Sequence, residues 1–186
     1  MFVHDYPKDR TQEIMAEKSL AASSLKKNIL SVLLNKQNGL GGIYTCLLNL
    51  PIILLGELWG VMYLTQVHHL LRTQASLVAT MIFVGTILGS PFVGWLSDTI
   101  GKRRLPMIVG ALLSLLVLLG IMFLPNLDFF TLLILFLLLG IFTSAQIISY
   151  PLIAESNPRH LTGTSTGLAS ILIMGGGAVF QPLFGW

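Results

Sequence analysis

The sequence predicts an all-α integral membrane protein in which five transmembrane helices follow a polar N-terminal segment. Only 10% of the 186 residues are charged, 54% are hydrophobic, and the mean hydropathy is +0.80. Soluble domains have about 25% charged residues. One bilayer crossing takes about 20 apolar residues, and this chain has five stretches of that length separated by short polar turns. Helices are expected because lipid offers the backbone no hydrogen-bond partners.

Residues 1–40 are predicted to form a cytoplasmic linker that contains an amphipathic helix. They include six of the eleven Lys and Arg residues. From Thr11 to Asn35 apolar residues recur at helical spacing, with lysines off that stripe. We interpret the helix as resting on the membrane surface or on the bundle, with recruitment of a partner as the alternative.

Residues 41–186 form the predicted membrane domain. Its approximate spans are 41–64, 75–96, 105–124, 129–150 and 164–186. With a cytoplasmic N-terminus, ten of the eleven basic residues fall on the cytoplasmic side and Arg72 alone falls outside. This asymmetry predicts a multi-pass protein of the cell membrane (plasma or inner membrane) with its N-terminus in the cytoplasm.

A charged turn, GWLSDTIGKRRLP at residues 94–106, separates the second and third spans. We call it the motif turn, because Gly94, Asp98, Gly101, Lys102 and Arg103 follow the order G-x-x-x-D-x-x-G-K-R. Gly94 is expected to allow close helix packing and Gly101 a sharp turn. Asp98 can accept hydrogen bonds from a helix N-terminus or pair with a nearby base. A simple basic anchor at the cytoplasmic surface is the alternative interpretation.

This pattern resembles motif A of the major facilitator superfamily, a family of secondary transporters. The resemblance implies that the motif turn is a gate element that stabilises the state closed to the cytoplasm. The residue after the aspartate is commonly basic in the family, whereas this chain has Thr99. The part of the family's charge network that this basic residue forms is therefore not expected in this chain.

Other segments resemble the C-terminal half of that family. The fourth span lacks the arginine that N-terminal halves typically carry there. The stretches AESNPRHLTGTSTG and GGGAVFQPLFGW are similar to the connection between the tenth and eleventh helices and to the eleventh helix, and VHDYPKDR resembles the central loop. The resemblance implies five of the six helices of a C-terminal half, without the last helix, and an N-terminal six-helix half as the missing partner.

Polar side chains inside the spans are candidates for contact with a substrate or a proton. At 100° per residue, Thr45, Asn49 and Tyr63 share one face of the first span, with Glu57 at its edge. An amide facing lipid is costly, so cavity lining is expected, with bonding between helices as the alternative. The candidates are Asn49, Glu57, Tyr63, Gln146, Tyr150 and Gln181.

Glu57 is the only acidic or basic side chain inside the five predicted spans. A carboxylate there costs on the order of 2.5 to 3.5 kcal/mol on insertion scales, so a functional role is the working hypothesis. It would carry a coupling proton or pair with a cationic group of the substrate. A protonated glutamic acid bonded to a neighbouring helix is the alternative.

The sequence does not favour an enzyme. Gly101-Lys102 lacks the leading glycine and the following Ser or Thr of a phosphate-binding loop, and neither H-E-x-x-H nor G-x-S-x-G occurs. We expect no catalytic residues, metal, cofactor or nucleic acid. The resemblance instead implies half of a secondary active transporter that moves a small solute across the lipid bilayer by alternating access, with proton coupling as one form. A truncated, non-transporting membrane protein or a structural partner of another subunit is the alternative.

Overall fold

The computed structural model describes residues 25–124 and 127–184, with side chains for 28–124 and 127–183. Residues 1–24, which include more than half of the predicted amphipathic stretch Thr11–Asn35, lie outside the described residues. Throughout the described ranges the regular secondary structure is helical.

Five helices are long and apolar enough to cross a membrane, which confirms the predicted fold class. A shorter N-terminal helix, Leu25–Leu34, precedes them. We number the five in chain order as the first to fifth membrane helices, and their bounds are Lys36–Leu58, Arg72–Ile100, Arg104–Phe123, Phe129–Glu155 and Arg159–Leu183. The first and fifth begin at residues 36 and 159, ahead of the expected 41 and 164.

Three of the membrane helices contain a change of helical type, and the fifth does so at its start, where Arg159–Leu161 form a 3₁₀ turn before the α-helix that begins at Thr162. In the first, an α-helical part ends at Pro51, a π-helical part follows, and a further α-helix begins after Trp59. Pro51 has no N–H and cannot donate to the preceding turn, which favours such a change. The first membrane helix consists of Lys36–Pro51 and Ile52–Leu58, and the α-helix Gly60–Val67 extends beyond its end. The fourth consists of Phe129–Thr143, Ser144–Ile148 (3₁₀) and Ser149–Glu155.

The second and fourth membrane helices form the most extensive pair. They cross at two glycines: a Cβ added at Gly85 would overlap the Leu137 carbonyl, and one added at Gly140 would overlap the Ile82 carbonyl. Small residues permit this close approach of two backbones inside a membrane. The crossing therefore fixes the position of the fourth helix.

The first and fifth membrane helices form the second extensive pair. Gly42 lies against Leu172, and Gly177 lies against Ile53. The third membrane helix lies on the outside of the fourth, and the Tyr44 hydroxyl of the first helix donates a 2.9 Å hydrogen bond to its Met107 carbonyl. The result is a bundle in which the first and fourth helices are central.

Long apolar side chains cover much of the outer surface, as expected for helices that face lipid. Leu116 is 64% exposed and Ile87 is 71% exposed. The buried apolar cluster is formed by the first four membrane helices around Ile82 and Phe136, both fully buried. Apolar groups thus face both the interior and the bilayer.

Candidate functional site

The motif turn begins where the second membrane helix ends at a left-handed glycine. Gly101 has φ +65° and its N–H donates a 3.1 Å hydrogen bond to the Ser97 carbonyl. Glycine adopts this conformation without the steric cost that a Cβ brings. The sharp turn places Arg103 only three residues after Ile100, the last residue of the second helix.

Arg103 connects the motif turn to the end of the fourth membrane helix. Its Nε donates a 2.8 Å hydrogen bond to Glu155 Oε2, and its Nη2 donates to Glu155 Oε1. Its Nη1 lies 3.4 Å from Asp98 Oδ1. The hydrogen bonds to Glu155, followed by the charges of both carboxylates, raise the pKa of Arg103 above its ordinary value. A planar guanidinium suits this two-point contact, which lysine could not make.

Sequence reasoning did not identify Glu155 as a partner of the motif turn. It lies 52 residues from Arg103, and only the packing of the second, third and fourth helices brings the two together. The available signal was an isolated carboxylate at the end of the fourth span, on the same predicted side as the basic turn. Asp98, which was identified, makes the longer of the two contacts and is 72% exposed.

The expectation for Gly94 is corrected by the structure. A Cβ added there would meet nothing within 4 Å among the described residues, so Gly94 does not mediate close packing there. Its position on the second helix faces away from the crossing with the fourth helix. The close packing occurs instead at Gly85 and Gly89, where an added Cβ would overlap atoms of the fourth helix.

Three asparagines form a second connection between helices, at the same end of the bundle as the Arg103–Glu155 contact. We call Asn35, Asn38 and Asn157 the amide cluster. The Asn157 amide oxygen accepts from Asn35 Nδ2 (3.2 Å) and Asn38 Nδ2 (3.1 Å), and its Nδ2 donates to Asn38 Oδ1 (2.7 Å) and to the Ile153 carbonyl (2.7 Å). The cluster joins the start of the first membrane helix to the turn between the fourth and fifth.

The amide cluster also holds the N-terminal helix. Asn38 Nδ2 donates to the Val32 carbonyl at 2.9 Å, and the Asn35 side chain accepts from the Gln37 N–H as an N-cap. Asparagine is among the preferred N-cap residues. Sequence reasoning missed these three residues, although an Asn at position 35 before a new apolar run is a helix-start signal.

The first and fourth membrane helices meet at a buried hydroxyl pair, Thr45 with Ser149. The two helices run in opposite directions, so Asn49 and Gln146 each lie about one turn beyond this pair on the same side of it. The structure thus places these two candidates at a similar depth. Gln181 lies one turn beyond Gly177, which faces Ile53 farther along the first helix.

Four of the candidates keep their polar groups available. Asn49, Gln146, Tyr150 and Gln181 are half-buried, and their side chains make no hydrogen bond to another described residue. An amide can both donate and accept, and Tyr150 has a hydroxyl. These groups are therefore free to bind a polar ligand or the side chains of further helices.

Tyr63 does not lie on the face that carries Thr45. Its hydroxyl donates a 3.1 Å hydrogen bond to the Ile121 carbonyl of the third membrane helix, and its ring packs edge-on against His68. An uninterrupted α-helix would place Tyr63 on the same face as Thr45, whereas the π-helical part changes the rotation of every residue after Pro51.

Tyr63 and Trp59 instead line an apolar cavity of about 370 Å³ between the first and third membrane helices. Glu57 is the sixth residue of the π-helical part and its side chain is exposed. The six candidates therefore do not form one cluster in the described bundle. Asn49 and Gln146 lie near its centre, and Glu57 lies toward one end.

Within residues 25–124 and 127–184, no three His, Cys, Asp or Glu side chains are grouped so that they could hold a metal ion.

Comparisons with known proteins identify relatives of most of this chain. The family profile "Major Facilitator Superfamily" matches residues 43–186. A D-xylose transporter from Levilactobacillus brevis is 29% identical over 118 residues, which is 63% of this chain and 25% of that protein. The match thus spans about a quarter of the length of this relative. No solved structure gave a significant match.

Proposed function

Because this chain belongs to the major facilitator superfamily, we propose that it supplies five helices of the C-terminal half of a secondary transporter that moves a small solute by alternating access. The family match over residues 43–186 is the observation that carries this proposal. In such proteins the solute site lies near the bilayer midplane between two repeats that rock against each other. The complementary N-terminal half is the partner that this proposal requires.

The Arg103–Glu155 contact supports a gating role for the motif turn. It ties the turn between two helices to the end of a third, on the side that the basic residues predict to be cytoplasmic. A contact contributes to gating when it is present in one conformation and absent in the other, because it then stabilises one state relative to the other. We propose that this ion pair stabilises the state closed to the cytoplasm.

The proposed solute is small and rich in hydroxyl groups, as a pentose is. Asn49 and Gln146 lie at similar depth with unpaired amides, and such groups match hydroxyls that both donate and accept. One relative is named as a D-xylose transporter. D-xylose is therefore the first solute to test, with uncharged disaccharides and amino acids as comparison solutes.

We propose that Glu57 binds a coupling proton near the outer end of the first membrane helix. Glu57 lies 21 residues after Lys36, or about 32 Å along a helix, which places it close to the opposite surface. Its side chain is exposed in the five described helices, so it faces the outer interface, lipid or the missing half. A carboxylate that faces lipid is unfavourable, which supports contact with the second half.

The decisive experiment reconstitutes the chain with an N-terminal six-helix half and measures D-xylose uptake into vesicles with and without a pH gradient. Uptake that saturates and requires both halves is expected. Saturable uptake by the purified 186-residue chain alone would contradict the half-transporter proposal. No uptake of any tested solute by the combined halves would favour the truncated, non-transporting alternative.

Two substitutions separate the roles within that assay. Glu57→Gln should abolish accumulation driven by the pH gradient and leave counterflow exchange in place, whereas normal uphill uptake would rule out the proton role. Asp98→Asn should slow transport without lowering the amount of protein in the membrane. Loss of protein at an unchanged rate per molecule would favour the simple anchor interpretation.

A further inference from the structure

We propose that the turn between the second and third membrane helices binds the headgroup of one anionic phospholipid, whose acyl chain lies in an adjoining apolar groove. Three features meet at this place: two exposed cations, an uncapped helix start, and two adjoining apolar cavities. The proposal does not depend on the transported solute or on the gating role of Arg103.

The cations are Lys102 and Arg104. Both are exposed, and in the described ranges neither forms an ion pair, whereas Arg103 between them is turned toward Glu155 and Asp98. The third membrane helix begins at Arg104, and no side chain caps its first turn. Free N–H groups and the helix dipole favour an anion at that position.

The height of these groups fits a phospholipid headgroup. The third membrane helix spans Arg104–Phe123, or about 30 Å, which equals the thickness of the hydrocarbon core. Lys102 and Arg104 therefore lie at the membrane surface, and Leu105 to Val109 lie just beneath it. At this level each Lys or Arg strengthens binding to anionic lipid about fivefold.

The groove beneath the cations has room for an acyl chain. A volume of about 430 Å³ is lined by the three basic residues and by Leu105, Ile108 and Val109. A second volume of about 210 Å³, between the second, third and fourth helices, shares Leu105 and Val109 with the first. We call these two adjoining volumes together the lipid groove; their lining residues extend from the basic surface to Leu113 and Phe142.

The wall of the lipid groove is apolar and partly open to the bilayer. Phe92 lines it and is 57% exposed, and Trp95 lies 6.3 Å from Phe92 between ring centroids. Tryptophan is enriched at membrane interfaces, where its ring tolerates both lipid and water. A lipid with a negative headgroup complements both the charge at the top and the apolar surface below.

The experiment counts phosphatidylglycerol molecules retained by the full chain in native mass spectrometry, with phosphatidylcholine of the same acyl chains as the neutral comparison. Removing both charges by Lys102→Gln with Arg104→Gln should weaken phosphatidylglycerol binding about thirtyfold, at about a factor of five per base. The matched control, Lys36→Gln with Arg159→Gln, removes two exposed bases from the same predicted side and should change binding less than threefold. An equal loss in the control would show general surface attraction and overturn the proposal.

A second pair of variants tests the lipid groove without changing charge. Val109→Trp enlarges a side chain that lines both volumes and should reduce phosphatidylglycerol retention about tenfold, while Leu119→Trp, an exposed position nearer the opposite end of the same helix, should not. Ile108→Trp replaces Val109→Trp if the latter does not fold. Retention unchanged by the filling variant, or displacement of the lipid by soluble glycerol phosphate at equal concentration, would overturn the single-lipid site.

Discussion

Replacing Asn157 by leucine should destabilise the bundle more than any other single change to a half-buried polar side chain at this end of the molecule. The side chains are similar in volume, so the change removes hydrogen bonds with little loss of packing. Asn157 makes four such bonds, to Asn35, to Asn38 twice, and to the Ile153 carbonyl. All four would be lost together.

The size of the effect follows from what each partner has left. Asn35 Nδ2 still donates to the Ser156 carbonyl and Asn38 Nδ2 to the Val32 carbonyl, so those two losses are partly compensated. The Asn38 amide oxygen keeps no other protein donor in the described part of the chain, and Asn38 is only 6% exposed. At about 0.5 to 1.5 kcal/mol per bond, and more for an unsatisfied buried group, the loss is about 2 to 3 kcal/mol.

The assay is unfolding of the purified chain in mixed micelles by increasing sodium dodecyl sulfate, followed by tryptophan fluorescence. Ser156→Ala is the matched control, because its hydroxyl bonds only the Leu152 carbonyl of its own helix while its backbone carbonyl stays available to Asn35. The control should cost less than about 1 kcal/mol. A free energy of unfolding for Asn157→Leu within about 0.5 kcal/mol of the unchanged chain would refute the assigned role of the amide cluster.

Three further perturbations have distinct expected results. Gly85→Leu should abolish recovery of folded protein, because the new side chain would overlap the fourth helix. The control Gly167→Leu should be recovered normally, because a Cβ added at Gly167 would meet nothing within 4 Å among the described residues. In the two-half transporter, Arg103→Lys should slow D-xylose uptake several-fold, because lysine cannot bond both Glu155 oxygens; an unchanged rate would contradict the gate. Burial, and then the charge of His69, lower the pKa of His68. The folded protein therefore binds fewer protons than the unfolded chain, so the free energy of unfolding should fall as the pH drops below about 6.5. His68→Phe should show a smaller fall between pH 7 and pH 5.

The five membrane helices were predictable because hydropathy depends on local sequence alone. The left-handed turn at Gly101 was predictable for the same reason, since a glycine followed by bases after an apolar run is a local helix-end signal. Contacts between residues that are far apart in the sequence were not predictable. Nothing in the local sequence of Arg103 indicates Glu155, and Asn157 is separated from Asn35 and Asn38 by more than 100 residues.

Helical rotation was the second source of error. Counting 100° per residue from Thr45 placed Tyr63 on the same face, but the π-helical part after Pro51 shifted every later residue around the axis. A similar difficulty applied to the glycines. Helix packing is the usual role of small residues in a membrane helix, and it holds at Gly85; sequence alone could not show that Gly94, in the same apolar helix, lies at an open surface.

The amide cluster has a consequence for biosynthesis. Asn38 and Asn157 are 119 residues apart, so the ribosome must translate nearly all of the first four helices before they can pair. At about 5 to 20 residues per second, Asn38 waits roughly 6 to 24 s after its own synthesis with its polar groups unmatched. Thr45 waits nearly as long for Ser149. During that interval the nascent helix depends on the insertion machinery or on water at the membrane surface, and quality-control proteases have their best opportunity to remove it.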